Sequence, residues 1–99
     1  MKSVYAIRIF EMILSKIMTH TLPKKGTYVI LDVEEIISGC ELSDTYRIIT
    51  NLKKRVLDVA VNEIKRVTLY DVSYENVKNG RKIEAFSFYV NMKYHNHEV

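Results

Sequence analysis

The sequence has one cysteine, Cys40, so no internal disulfide can form. A lone thiol fits a reducing compartment and otherwise reads as a small hydrophobe of the core. No apolar run reaches the ~18 residues that a membrane-spanning helix needs. The opening MKSVYAIRIFEMIL has one early lysine and then apolar residues, but Arg8 and Glu11 interrupt them and no small-residue cleavage site comes after. It reads as a helix, not as a signal peptide. A glycine-rich phosphate loop is missing. So is metal-ligand spacing: His95 and His97 stand two apart in the tail with no further ligands, and zinc takes about four. Ser, His and Asp occur at no spacing that makes a triad. Glu34 and Glu35 are adjacent acids, but a helix cap accounts for them better than acid-base catalysis does. The expectation is a protein with no enzymatic activity, no cofactor, no metal and no membrane partner.

What is present is one domain of ordinary globular composition. The chain has 99 residues, 47% hydrophobic and 27% charged. That length can bury a modest core without disulfides or metals. Net charge is +3, unevenly distributed. Residues 1–46 carry five basic and six acidic side chains, residues 47–82 nine and four, and residues 83–99 one and two. A localised basic patch points to a polyanion partner more directly than bulk charge does.

Along the chain, Ser3 can cap a first helix running to about Thr19, with Ala6, Phe10, Ile13, Leu14 and Ile17 as its buried stripe and Arg8 and Glu11 one turn apart on the other side. His20 to Gly26, with Pro23, Lys24 and Lys25, reads as a loop whose lysines are solvated. Thr27 to Leu31 is a β-branched and aromatic run, hence a short strand. Asp32 and Glu35 form a capping-box pattern for a second helix, and Gly39 supplies its stop. Cys40 to Ser43 is a tight connection, with Ser43 or Asp44 capping the next helix. Asp44 to Arg66 has no Gly and no Pro. There Ile49, Leu52, Val56, Ala60 and Ile64 recur at helical spacing, widened by Tyr46, Leu57 and Val61. After Arg66 the period becomes two. Leu69 to Glu75 and Lys82 to Met92 alternate as strands around Asn76 to Arg81, whose Asn-Gly is a strong hairpin signal. The order is helix, strand, helix, helix, strand, basic turn, strand. This predicts an α+β fold, a winged helix-turn-helix with three helices, a small antiparallel sheet and a β-hairpin wing, over residues 1–92. Residues 93–99 read as a frayed tail.

The polar arc of the long helix holds Arg47, Asn51, Lys54, Arg55, Asp58, Asn62 and Lys65. Asn and Arg match adenine and guanine edges in a major groove. On this reading Arg47, Asn51, Lys54 and Arg55 face the groove, while Arg66, Lys78, Arg81 and Lys82 meet phosphates. Asp58 is expected to orient Lys54, Arg55 or Asn62, or else to accept from cytosine. Lys53 points to the apolar side, where its stem packs and its amine snorkels. The competing reading is a solvated helix face on a protein-interaction or dimerisation module, pairing through the strand Thr27 to Leu31 or through the wing. The seven tyrosines sit at packing positions and do not form a base-stacking platform.

Three stretches resemble the second winged-helix domain of iteron-binding plasmid replication initiators. They are YAIRIFEM at 5–12, TYRIITNLKKRVLDVAVNEIKRVT at 45–68 and VSYENVKNGRKIEAFSFYV at 72–90, in the family's order. The resemblance implies binding to directly repeated sites at a plasmid origin in the bacterial cytoplasm. It also implies a companion winged-helix domain in the full initiator, and a homodimer when such proteins repress their own transcription. By position it places Asn51 and Lys54 at bases with Arg55 close by. Ile48 departs from the pattern, since some relatives carry a basic residue there.

Overall fold

The computed structural model describes residues 3–17 and 26–93. The expected loop through Pro23, Lys24 and Lys25, the helix end near Thr19, and the tail with Tyr94, His95 and His97 lie outside them. Helix α1 spans Val4–Ile17, strand β1 Thr27–Asp32 and helix α2 Val33–Gly39. A 3-10 turn, Asp44–Arg47, precedes the long helix, here α3, over residues 49–67. Strands β2 (Tyr70–Asn79) and β3 (Lys82–Met92) complete the elements of the described residues. The architecture is the expected winged helix.

β3 lies in the middle of the sheet, antiparallel to β1 on one side and β2 on the other. Because side chains alternate across a strand, one face turns Val29, Leu31, Val72, Phe86, Phe88 and Val90 inward. These join Ala6, Ile9 and Ile13 of α1, Ile36 of α2, and Leu52, Val56, Leu57, Ala60 and Ile64 of α3 in one core. Ile9 is fully buried although it lies outside the expected stripe, because α1 touches α3 on one flank and β1 and α2 on the other.

Local signals set the element starts. The Ser3 hydroxyl accepts from the Ala6 amide at 3.2 Å. The Asp32 carboxylate accepts from the Glu35 amide at 2.7 Å, and the Glu35 side chain accepts from the Asp32 amide at 3.0 Å, completing the capping box. The end of α2 differs from expectation. Gly39 is its last helical residue, and Glu41 takes the left-handed conformation, with φ 54°. The Leu42 amide bonds the Ile37 carbonyl and the Glu41 amide bonds the Ser38 carbonyl, which is a Schellman closure without glycine at its left-handed position. Gly39 serves packing instead: a Cβ there would lie 2.8 Å from Met12 Sδ on α1. Arg8 reaches this corner too, pairing with Glu41 at 3.1 Å and donating to the Gly39 carbonyl, rather than engaging Glu11.

The long helix is shorter than the sequence predicts. Ile48 is extended, with ψ 114°, so Asp44 to Arg47 form a separate turn and neither Ser43 nor Asp44 caps α3 through its side chain. The β-branched run Ile48, Ile49 and Thr50 disfavours carrying the helix backwards. Edge-on contact between Tyr46 and Tyr5 holds the turn on α1. The connection from α2 to α3 is thus longer than the four residues expected. Within α3, an α turn over Ile49–Leu52 passes through a π segment, Lys53–Leu57, into Asp58–Val67, and the backbone stays helical at each junction. The stripe explains the π segment. Leu52, Val56, Ala60 and Ile64 recur strictly every fourth residue, which drifts by about 40° per step in an ideal α-helix. One wider turn corrects the drift and brings Leu57 fully into the core.

Cys40 is buried at the α2 corner. Burial pushes its thiol up to about 11, with the Arg8 charge pulling weakly the other way. The folded value lies above the unfolded one of about 8.5, so this contribution is complete below that pH and is lost as pH climbs toward 11. Urea unfolding should show about 1–2 kcal/mol of Cys40-dependent loss between pH 7 and pH 10. Cys40→Ala should flatten the pH dependence by that amount. Parallel pH profiles for the two proteins would remove Cys40 as the source.

Candidate nucleic-acid interface

The apolar stripe of α3 fixes which flank meets solvent. Lys54, Arg55, Asp58, Asn62, Lys65 and Arg66 are all exposed, and Asn51 and Lys53 are half-buried. Asn51 donates to the Thr45 carbonyl at 3.4 Å, tying the 3-10 turn to the helix start. Arg47 therefore lies on the turn ahead of α3 and not on the helix itself.

The wing is longer than expected. Asn76 to Asn79 continue β2, and the loop contracts to Gly80 and Arg81 between the paired residues Asn79 and Lys82. Gly80 has φ +67° in open space, while Arg81 keeps negative φ, the pattern of a type II′ turn with glycine first. Pairing jumps from Val77 with Ala85 to Lys78 with Ile83, leaving Glu84 as an extra residue on β3. Such a bulge increases local twist and re-aims the hairpin tip. Beyond it Lys78, Asn79, Gly80, Arg81 and Lys82 are all exposed, and Asn79 donates to Glu84 at 3.2 Å.

Two contacts set the wing against α3. Lys65 pairs with Asp71 at 3.7 Å, and the Tyr74 hydroxyl donates to Asp58 at 2.6 Å. From Asp71 to Tyr74 is about 10 Å of strand, and from Lys65 back to Asp58 about 10 Å of helix. β2 thus runs antiparallel to α3, and its continuation brings the basic turn level with the start of the helix. A cleft of about 720 Å³ lies there, lined by Arg47, Arg81 and Lys82 together with the acids Asp32, Glu34 and Glu84.

Ion pairing divides the basic residues into two sets. Arg47 bonds Glu34 and also Asp44, the latter at 3.1 Å, and these bonds, Glu34's first, push its guanidinium above the ordinary value. Lys65 is paired with Asp71, and Arg66 with Glu63 at 2.9 Å. Lys54, Arg55, Lys78, Arg81 and Lys82 have no carboxylate partner among the described residues. Positive potential therefore collects at the first half of α3 and the tip of the wing. Asp58 does not orient Lys54, Arg55 or Asn62 as expected. Its bond to Tyr74 leaves no sign in the sequence, because the two residues lie on different elements. The same holds for Glu34 and Arg47. Among the described residues no His, Cys, Asp and Glu side chains group to hold a metal ion, and no helix is long and apolar enough to cross a membrane.

A family model described as initiator Rep protein, WH2, matches residues 32–90, more than half of the chain. The match runs from the cap of α2 to β3 and takes in α3 and the wing. No curated protein matches the chain.

The Tyr74–Asp58 bond joins the wing strand to α3, and burial together with that bond raises the tyrosine's ionisation well above its ordinary value. Tyr74→Phe should lower stability by about 1 kcal/mol, since the hydroxyl donates to a charged acceptor but stays partly solvated. A double-mutant cycle with Asp58→Ala, read by urea denaturation, should return coupling of about the same size. Additive losses would mean that the bond contributes nothing.

Proposed function

The chain belongs to the initiator Rep protein family, as its WH2 domain, and from that premise we propose that it binds double-stranded DNA in a sequence-specific manner. Membership carries a role in replication initiation. The finer reading is that the domain recognises repeats at a plasmid origin, as part of an initiator with a companion winged-helix domain, without catalysing a reaction. One observation carries it: among the described residues, Lys54 and Arg55 of the early α3 turns and Lys78, Arg81 and Lys82 of the wing tip cluster toward one end of the domain with no carboxylate partner.

The roles follow from chemistry and position. Asn51, Lys54 and Arg55 present amide, ammonium and guanidinium groups from a helix of a size that enters a major groove. Lys78, Arg81 and Lys82 project from a narrow hairpin with no fixed partner, which suits phosphate contacts. Arg47, Lys65 and Arg66 are already neutralised within the chain and contribute less than their charge implies, and Asp58 and Asn62 are secondary candidates.

The other reading, pairing of chains through the sheet edge, draws on β1, where Tyr28 is 70% and Ile30 55% exposed. Against it, the Lys16 ammonium donates to the Ile30 carbonyl at 3.2 Å and pairs with Glu35. A lysine laid over an edge is a device that blocks strand addition.

Selection of bound duplexes from a random library should enrich one motif. On that motif Lys54→Ala should cost roughly 1–3 kcal/mol and relax base preference at one position. Arg81→Ala should weaken binding to all sequences alike and reduce the salt slope by about one. Equal losses for both variants on selected and random DNA would refute this division of roles. Sedimentation showing a dimer that lacks salt-sensitive DNA binding would favour chain pairing instead.

A further inference from the structure

Arg47 stands apart from the other cations of the cleft. It lines the same space as Arg81 and Lys82, yet two carboxylates hold it, Glu34 at one Nη and Asp44 at Nε. Neither acid makes a capping hydrogen bond for its own element. The cap of α2 is made by Asp32 and Glu35, which leaves Glu34 outside the capping box. Asp44 makes no cap hydrogen bond at the 3-10 turn. Both are open to water, with side chains 71% and 94% exposed. Ion pairs this exposed are weak and exchange readily. Arg47 is therefore a preformed, correctly charged anion contact whose present occupants can leave.

We propose that Glu34, assisted by Asp44, is an affinity-limiting residue that occupies Arg47 in the free protein and yields it to a backbone phosphate when a duplex enters the cleft. This rests on the DNA-binding function proposed for the domain. Guanidinium recognises carboxylate and phosphate with the same planar fork of donors. Glu34 thus competes with every phosphate, whatever the sequence, and holds down non-specific attachment, which electrostatics dominates. Base contacts from α3 do not involve Arg47 and keep their discrimination. Glu34 and Asp44 are positioning residues, acting only through Arg47.

The test is a fluorescence titration of a short duplex over a range of salt concentrations. It uses the whole chain, its Glu34→Gln and Asp44→Asn variants, and Glu34→Gln in an Arg47→Ala background. Glu84→Gln is the control, because Glu84 lines the same cleft but bonds the Asn79 amide rather than a cation. Glu34→Gln should bind both random and preferred duplexes about two- to fivefold more tightly, the range set by an exposed ion pair. Its salt slope should steepen by up to about one. Asp44→Asn should move binding the same way by less. In the Arg47→Ala background Glu34→Gln should change affinity no more than Glu84→Gln does in the whole chain. Equal tightening with and without Arg47 would mean that only bulk charge was altered, and it would overturn the proposal. So would Glu34→Gln binding no tighter than the unaltered chain. If the unaltered chain shows no salt-sensitive duplex binding, the parent reading fails instead. The melting temperature of Glu34→Gln should match that of the unaltered chain, given how exposed the side chain is.

Discussion

Burial of one stripe of α3 governs the rest of the molecule. Leu52, Val56, Leu57, Ala60 and Ile64 are fully enclosed, and α3 lies between α1 and β2. With that stripe fixed, the helix cannot rotate without exposing several large aliphatic side chains, at about 25 cal/mol for each Å² of apolar surface returned to water. The orientation of Lys54 and Arg55 is therefore a consequence of core packing and not of any contact they make. The π segment belongs to the same constraint, because it keeps a four-residue repeat in phase with a face that an ideal helix would rotate away.

Carboxylate placement refines the interface that packing creates. The same chain carries basic residues along the whole of α3, yet Asp71 and Glu63 take up those of its last turns. The helix therefore presents a gradient, neutralised toward its C-terminal end and open toward its start. The wing turn reaches the open end because β2 is antiparallel to α3 and because the bulge at Glu84 falls just before the hairpin leaves the core. Among the described residues this gathers the unpaired cations of α3 and of the wing toward one end, which on the proposed function would favour one direction of approach for a polyanion.

Much of this fold is legible in the residues, and the features that are not share a physical origin. The Asp32–Glu35 cap and the alternation of both hairpin strands depend on neighbours in sequence, and sequence carries those directly. The extended residue at Ile48 does not. The apolar spacing of Ile49 and Leu52 continues back to Tyr46, and nothing in that spacing records that Tyr46 packs edge-on against Tyr5 of another helix. The left-handed residue at Glu41 is hidden for a similar reason, with Gly39 the expected stop. Glycine is the cheaper residue in that conformation, yet here it stands two positions earlier, where the flexible end of Met12 packs over it. For Asp58, helical spacing points to cations on its own helix, whereas the hydroxyl that reaches it comes from a strand laid alongside.

The wing has two mechanically different halves. From Tyr70 to Val77 it is anchored: Val72 is buried, Tyr74 packs on Phe86 and Phe88 and bonds to α3, and Asp71 bonds to Lys65. From Lys78 to Lys82 it has only hairpin pairing and the Asn79–Glu84 bond to hold it. A two-stranded ribbon without a buried face is marginally stable by itself, so the tip takes its direction from the anchored half and keeps freedom to adjust. That combination suits contacts to a regular phosphate backbone, where direction matters more than sub-ångström fit. The exposed side chains of α3 stand on the opposite property, a rigid core beneath the helix. The contrast between a fixed helix face and a less constrained hairpin tip thus follows from where the hydrophobic core ends.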